Sequence, residues 1–100
     1  MFYSKSIDEI KIGFFLSLLA HKIAGDAVQE EAYIEEIVSD VRALARSEKS
    51  FYEVDREGYP IVIALYDLDK DYFRDLDIHA MTTADYERMH KTLLNQPEFA

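Results

Sequence analysis

The segment from Ile7 to Ile23, IDEIKIGFFLSLLAHKI, constrains the chain most. Projected at about 100° per residue, its apolar residues fall into two stripes. Ile7, Ile10, Phe14 and Leu18 form one; Ile12, Phe15, Leu16, Leu19 and Ile23 form the other, with Lys11 and Lys22 between them. A surface helix carries a single apolar stripe, so a helix greasy on two sides needs cover on both. The second cover is either a sheet or another chain. Ser6 and Glu9 make an S-x-x-E capping box ahead of this helix, and Gly25 closes it.

Asp26 opens a second helical pattern, from Ala27 to about Glu48. Ile34, Ile37, Val38, Val41, Leu44 and Ala45 share one stripe. Asp26, Glu30, Glu31, Glu35, Glu36 and Asp40 crowd its first two-thirds, and Arg42, Arg46 and Lys49 gather at its end. That order suits the helix macrodipole, which favours anions early and cations late. The carboxylates read either as an acidic ridge or as a solvated face matched to the dipole.

From Phe51 onward the period looks like two. Phe51–Val54 and Ile61–Leu68 alternate as strands around the polar turn Asp55-Arg56-Glu57-Gly58, and a third strand, Phe73–Ala80, follows a turn at Lys70 and Asp71. Pairing Leu68 with Phe73 sets Asp67 opposite Arg74, Leu65 opposite Leu76, Ile63 opposite Ile78 and Ile61 opposite Ala80. One face is then apolar, and a slip of a single residue destroys the match. Phe2 and Tyr3 are placed to add a short edge strand. Thr82 or Thr83 caps a last helix, Ala84 to about Asn95, with Tyr86, Met89, Leu93 and Leu94 turned inward and Pro97 ending it. The expected fold is therefore α+β: two N-terminal helices, a three-stranded antiparallel β-meander and a C-terminal helix. It forms one compact domain over residues 1–100, since 11.6 kDa leaves no room for two cores.

Charge narrows the partners. Twenty acidic side chains against eleven basic ones give a net charge of -9 and a pI near 4.6. Nucleic-acid affinity comes from Lys and Arg neutralising phosphates. The densest basic stretch, Arg42, Arg46 and Lys49, is diluted by Glu48. Direct binding to nucleic acid or to anionic lipid is thus not expected, and the excess charge serves either solubility or steering toward a basic protein. The longest uncharged apolar run, Ile12–Ala20, is too short to cross a bilayer. Asp8 and Glu9 stand where a secretion signal needs basic residues, so a cytoplasmic protein is expected. The absence of cysteine excludes a disulfide framework, thiolate metal sites and cysteine catalysis.

Catalytic signatures are sparse. On a strand, Asp75, Asp77 and His79 point the same way, and two carboxylates with an imidazole could hold a hard metal or zinc. Asp67, Asp69 and Asp71 imitate a calcium loop, but Tyr72 and Ile78 stand where that loop needs Gly and a bidentate Glu. His21, beside the apolar stripe, reads as a partly buried structural histidine. The chain has no Gly-rich phosphate loop, no G-x-S-x-G and no H-E-x-x-H, and no cofactor is expected.

The expected outer face of the sheet carries Phe51, Val62, Tyr66, Leu68 and Phe73 beside Glu53, Asp75 and Asp77. Aromatic anchors ringed by carboxylates suit a protein–protein contact, unless the chain's own ends cover them. Three readings follow. In the first, the chain is a small acidic, non-catalytic inhibitor or regulator that docks on a larger, basic, nucleic-acid-handling protein, using Phe51, Glu53, Tyr66, Phe73, Asp75 and Asp77. In size and acidity it resembles the small inhibitors that phages and mobile elements deploy against host nucleases, a likeness of composition that no motif carries. Mimicry of DNA phosphates and plain occlusion of a surface both stay open. The second reading is a metal-dependent enzyme built on Asp75, Asp77 and His79. The third is a structural homo-oligomer, most simply a homodimer through helix 7–23.

Overall fold

A computed structural model of the chain describes residues 6–96, and every regular element in it is helical. The elements are α1 (Ile7–Ile23), α2 (Glu31–Ala45), α3 (Tyr59–Arg74) and α4 (Thr83–Leu94), with single 3-10 turns at Phe51–Glu53 and Ile78–Ala80. No strand occurs among the described residues, so the α+β expectation with its antiparallel meander is corrected to an all-α arrangement. Phe2, Tyr3 and Pro97 lie outside the described residues. No described helix is long and apolar enough to cross a membrane.

The two N-terminal helices follow from local chemistry. Ser6 Oγ accepts a hydrogen bond from Glu9 N–H at 3.2 Å and starts α1. At the other end Gly25 takes φ +84°, and Gly25 N–H and Asp26 N–H donate to the carbonyls of Lys22 and His21, a Schellman closure that favours glycine. Asp26 does not open α2 but receives the His21 side chain at 3.2 Å, and that imidazole is more than half exposed rather than partly buried. The start of α2 moves to Glu31. Its end uses a second Schellman closure, with Ser47 at φ +57° and Glu48 N–H donating to Ala43. The expected stripe holds: Ile34, Ile37, Val38, Val41 and Leu44 are all buried.

The expected meander dissolves into α3 and two turns. The run Ile61-Val62-Ile63-Ala64-Leu65 is apolar at every position, so it fits a period of 3.6 as well as one of two. Burial shows which won: Ile61, Val62, Ala64 and Leu65 are buried together, whereas alternation would have parted Ile61 and Leu65 from Val62 and Ala64. Gly58 followed by Pro60 in the first turn marks a helix start. Phe51–Glu53 is a 3-10 turn because Ser50 and Glu53 form a capping box, the same S-x-x-E spacing that starts α1. The expected turn at Lys70 and Asp71 does not form: α3 continues through both, kinked just before them where Asp69 leaves helical geometry (φ -152°, ψ 35°). Arg74, expected across from Asp67, instead reaches Asp71 at 3.1 Å.

The core joins all four helices. Phe15 and Leu19 of α1, Ile34 and Val41 of α2, Ile61, Leu65 and Phe73 of α3, and Met89 and Leu93 of α4 are wholly or almost wholly buried. α2 packs chiefly on α3, α1 chiefly on α4, and α3 touches all the others. Arg42 Nη1 donates to the Leu76 carbonyl at 3.1 Å and Arg46 Nε to the Arg74 carbonyl at 2.7 Å. The basic end of α2 thus satisfies one terminal carbonyl of α3, at Arg74, and one just past it, at Leu76. α4 starts at a Thr82–Asp85 capping box. It buries Met89 and Leu93, but Leu94, expected inward, is exposed.

Candidate interaction surface

With the sheet gone, its outer face no longer exists, and its residues scatter. Phe73 and Val62 are fully buried in the core, so neither meets a partner. Asp75 ends α3, and the Asp77 carboxylate is turned onto the backbone, accepting from His79 N–H at 3.1 Å. The alternation that would have gathered Asp75, Asp77 and His79 needed a strand. Among the described residues no three His, Asp or Glu side chains come together as metal ligands.

Phe51, Glu53 and Tyr66 remain together. The Phe51 ring stands edge-on to Tyr66, centroids 5.4 Å apart, and Lys70 Nζ lies 5.8 Å from the Tyr66 centroid. Tyr66 is half-buried and props Phe51 outward, while Glu53 is tied to the Ser50 N–H and hydroxyl. This sits at the edge of a larger feature that sequence reasoning missed. The segment 51–60 leans over the start of α1 and encloses an open cleft of about 850 Å³. Its apolar lining comes from Phe51, Tyr52, Val54, Tyr59 and Pro60, and its charges from Asp8, Lys11, Arg56 and Glu57. Tyr52 is fully exposed, and Phe51 and Tyr59 are each more than 40 % exposed.

The outer side of α1 adjoins this cleft. Lys11 and Glu57 form an ion pair at 3.6 Å that stands between it and the exposed stripe of Ile7, Ile10 and Phe14. The expected first stripe of α1 is thereby split. Leu18 is buried, while Ile7, at 70 % exposure, and Ile10 and Phe14, one and two turns on, stay about half-exposed or more among the described residues. The result is a band of exposed rings and aliphatic side chains with carboxylates along its edge. Surplus apolar residues in helix 7–23 were the available signal. Of the rings Phe51, Tyr52 and Tyr59, only Phe51 was expected on a contact face, because alternation gives an outer face to every second residue of a strand, and that strand does not form.

A second polar cluster is structural. Arg88 holds Asp69, at the kink, through two hydrogen bonds of 2.8 and 3.0 Å, and its guanidinium stacks 4.1 Å from the Tyr72 ring centroid. The Tyr72 hydroxyl donates to Asp85. Burial first, then that carboxylate, pushes the Tyr72 phenol well above its ordinary range. At Asp85 burial acts upward, but hydrogen bonds from Tyr72 and from the Thr82 N–H and hydroxyl outweigh it and leave the carboxyl below its usual value. These groups are occupied with one another, which fits a clamp between α3 and α4. Set against protein families, curated proteins and solved structures, the chain matches none.

Proposed function

We propose that the chain is a small acidic, non-catalytic binding protein, an inhibitor or regulator that docks on a larger basic, nucleic-acid-handling protein. The observation that carries this reading is the cleft of Phe51, Tyr52 and Tyr59, left open on a body of net charge -9. Interface hot spots are enriched in Tyr and centre on rings that become fully desolvated. Surrounding carboxylates set orientation and raise the association rate toward a cationic surface. The docking residues are therefore Phe51, Tyr52 and Tyr59, with Asp8, Glu53 and Glu57 at their margin.

Tyr52→Ala tests this cleanly, because a fully exposed ring adds little to folding. The wild-type chain, fixed as bait in a native extract, should retain a basic protein that is released at about 300 mM salt, where the Debye length is only a few ångströms. Titration calorimetry with that protein should show Tyr52→Ala binding at least about tenfold more weakly. A captured protein that ignores both salt and Tyr52→Ala would contradict the assignment.

A further inference from the structure

On the far side of the Lys11–Glu57 pair lies a smaller groove of about 390 Å³, lined by Ile10, Lys11, Phe14, Tyr33 and Glu57. Its floor is aromatic: the Phe14 and Tyr33 rings are tilted against each other with centroids 6.3 Å apart. Beside it, a hollow of only about 20 Å³ lies between Tyr33, Ile37 and Gly58, with Glu36, Asp40, Asp55 and Glu57 around it. Asp40 is neutralised by Lys49 at 2.7 Å and Glu57 is shared with Lys11, so Glu36 and Asp55 leave the hollow negative. Burial, and after it Glu57, Glu36 and Asp55, raise the Tyr33 phenol above its ordinary value, consistent with that sign. Ile7, Ile10 and Phe14 stand at i, i+3 and i+7, an apolar rail about 10 Å long on α1.

These features select one occupant. No sheet edge exists among the described residues, so an added strand has nothing to pair with. A second copy would bring the same carboxylates and another nine negative charges against the hollow. An amphipathic helix with a cationic flank meets both the rail and the charge, because such helices lay anchors spaced like those of α1 into apolar grooves. We propose that this groove takes a basic amphipathic helix of the partner, with its apolar edge on Ile10, Phe14 and Tyr33 and its Lys or Arg side chains on Glu36 and Asp55. The proposal rests on the reading of the chain as a binder of basic proteins and names the element it grips.

The probe is a labelled peptide of roughly 14 Leu and Lys residues, with the leucines on one helical face. A Leu–Glu peptide of the same pattern is the control, and binding is read by fluorescence anisotropy. The Leu–Lys peptide should bind, about tenfold more weakly to Phe14→Ser and Ile10→Ser and about threefold more weakly to Glu36→Gln. Leu94→Ser, an exposed apolar loss on α4, should change nothing. Circular dichroism confirms that each variant is folded, and two separate serine variants guard against a local collapse in one. Equal affinity for wild type and both serine variants, no binding at all, or equal binding of the Leu–Glu peptide would overturn the groove assignment. So would a dimer in sedimentation that Phe14→Ser dissociates. If the peptide fails while the Phe14→Ser bait still captures a salt-sensitive basic protein, only the helix groove is lost. If that capture fails as well, the wider reading falls with it.

Discussion

α1 and α2 are of similar length, 17 and 15 residues, yet they use their apolar side chains differently. Every large aliphatic residue of α2 from Ile34 to Leu44 is buried, mostly against α3. α1 buries Ile12, Phe15, Leu16, Leu18 and Leu19 but leaves Ile7, Ile10 and Phe14 outside. One helix is matched to its fold; the other carries more apolar surface than the fold consumes. Exposed apolar residues scattered singly need no explanation, but a stripe set beside an aromatic cleft, with one ion pair between them, does. The two sides of the molecule are also fastened differently. The α2–α3 seam is an apolar core whose polar ties run from Arg42 and Arg46 to backbone carbonyls at the end of α3, whereas α4, on which α1 leans, is tied to α3 by the side-chain pairs Tyr72–Asp85 and Arg88–Asp69.

The sharpest way to break this contrast lies within α1. Phe15→Ala removes a wholly buried ring and should cost about 3–5 kcal/mol in urea unfolding. Phe14→Ala, one residue away, should cost less than about 1 kcal/mol. Equal losses would mean that the outer stripe belongs to the core after all. On the α2–α3 seam, a Cβ added at buried Gly58 would run into Ile37 Cδ1. Gly58→Ala should therefore cost about 1–3 kcal/mol by overpacking. Ile37→Val removes the obstructing methyl, so the double variant should lose less than the sum of the two single ones in thermal or urea melts. Strict additivity would show the seam to be looser than its burial implies.

The polar clamp gives the smallest effect and a pH signature. Asp85 is held below its unfolded value, so its contribution is present above about pH 4 and is lost as the pH falls through the lower folded value. Asp85→Asn should cost about 1 kcal/mol at pH 7, and the gap from wild type should shrink as acid protonates the wild-type carboxyl. Urea unfolding at neutral and acidic pH checks this. A gap that stays constant with pH would assign the loss to packing instead.

The helical half of the fold was legible where local signals were unambiguous. Ser6, Glu9 and Gly25 bounded α1, and the stripe of α2 emerged intact because its apolar positions are separated by polar ones. The meander was misread because residues 61–65 are apolar on every side and pass both periodicity tests. Length and the Gly58-Pro60 start favoured a helix, and the Ser50-x-x-Glu53 spacing announced a turn. Of the expected contact residues, Phe51, Glu53 and Tyr66 stayed near one another because they sit on a surface turn and the helix face behind it. Phe73 was lost to the core once its strand became the last turn of a kinked helix.

Charge balance, the lack of cysteine, and the surplus grease of residues 7–23 are properties of the chain itself, independent of how it folds. Which side of α1 stays bare was decided only in three dimensions. The inner positions are claimed by α3 and α4, and residues 51–60 reach over the start of the helix without covering Ile7, Ile10 or Phe14. A single helix cannot specify this, because both of its stripes are equally apolar and only neighbours distant in sequence choose between them.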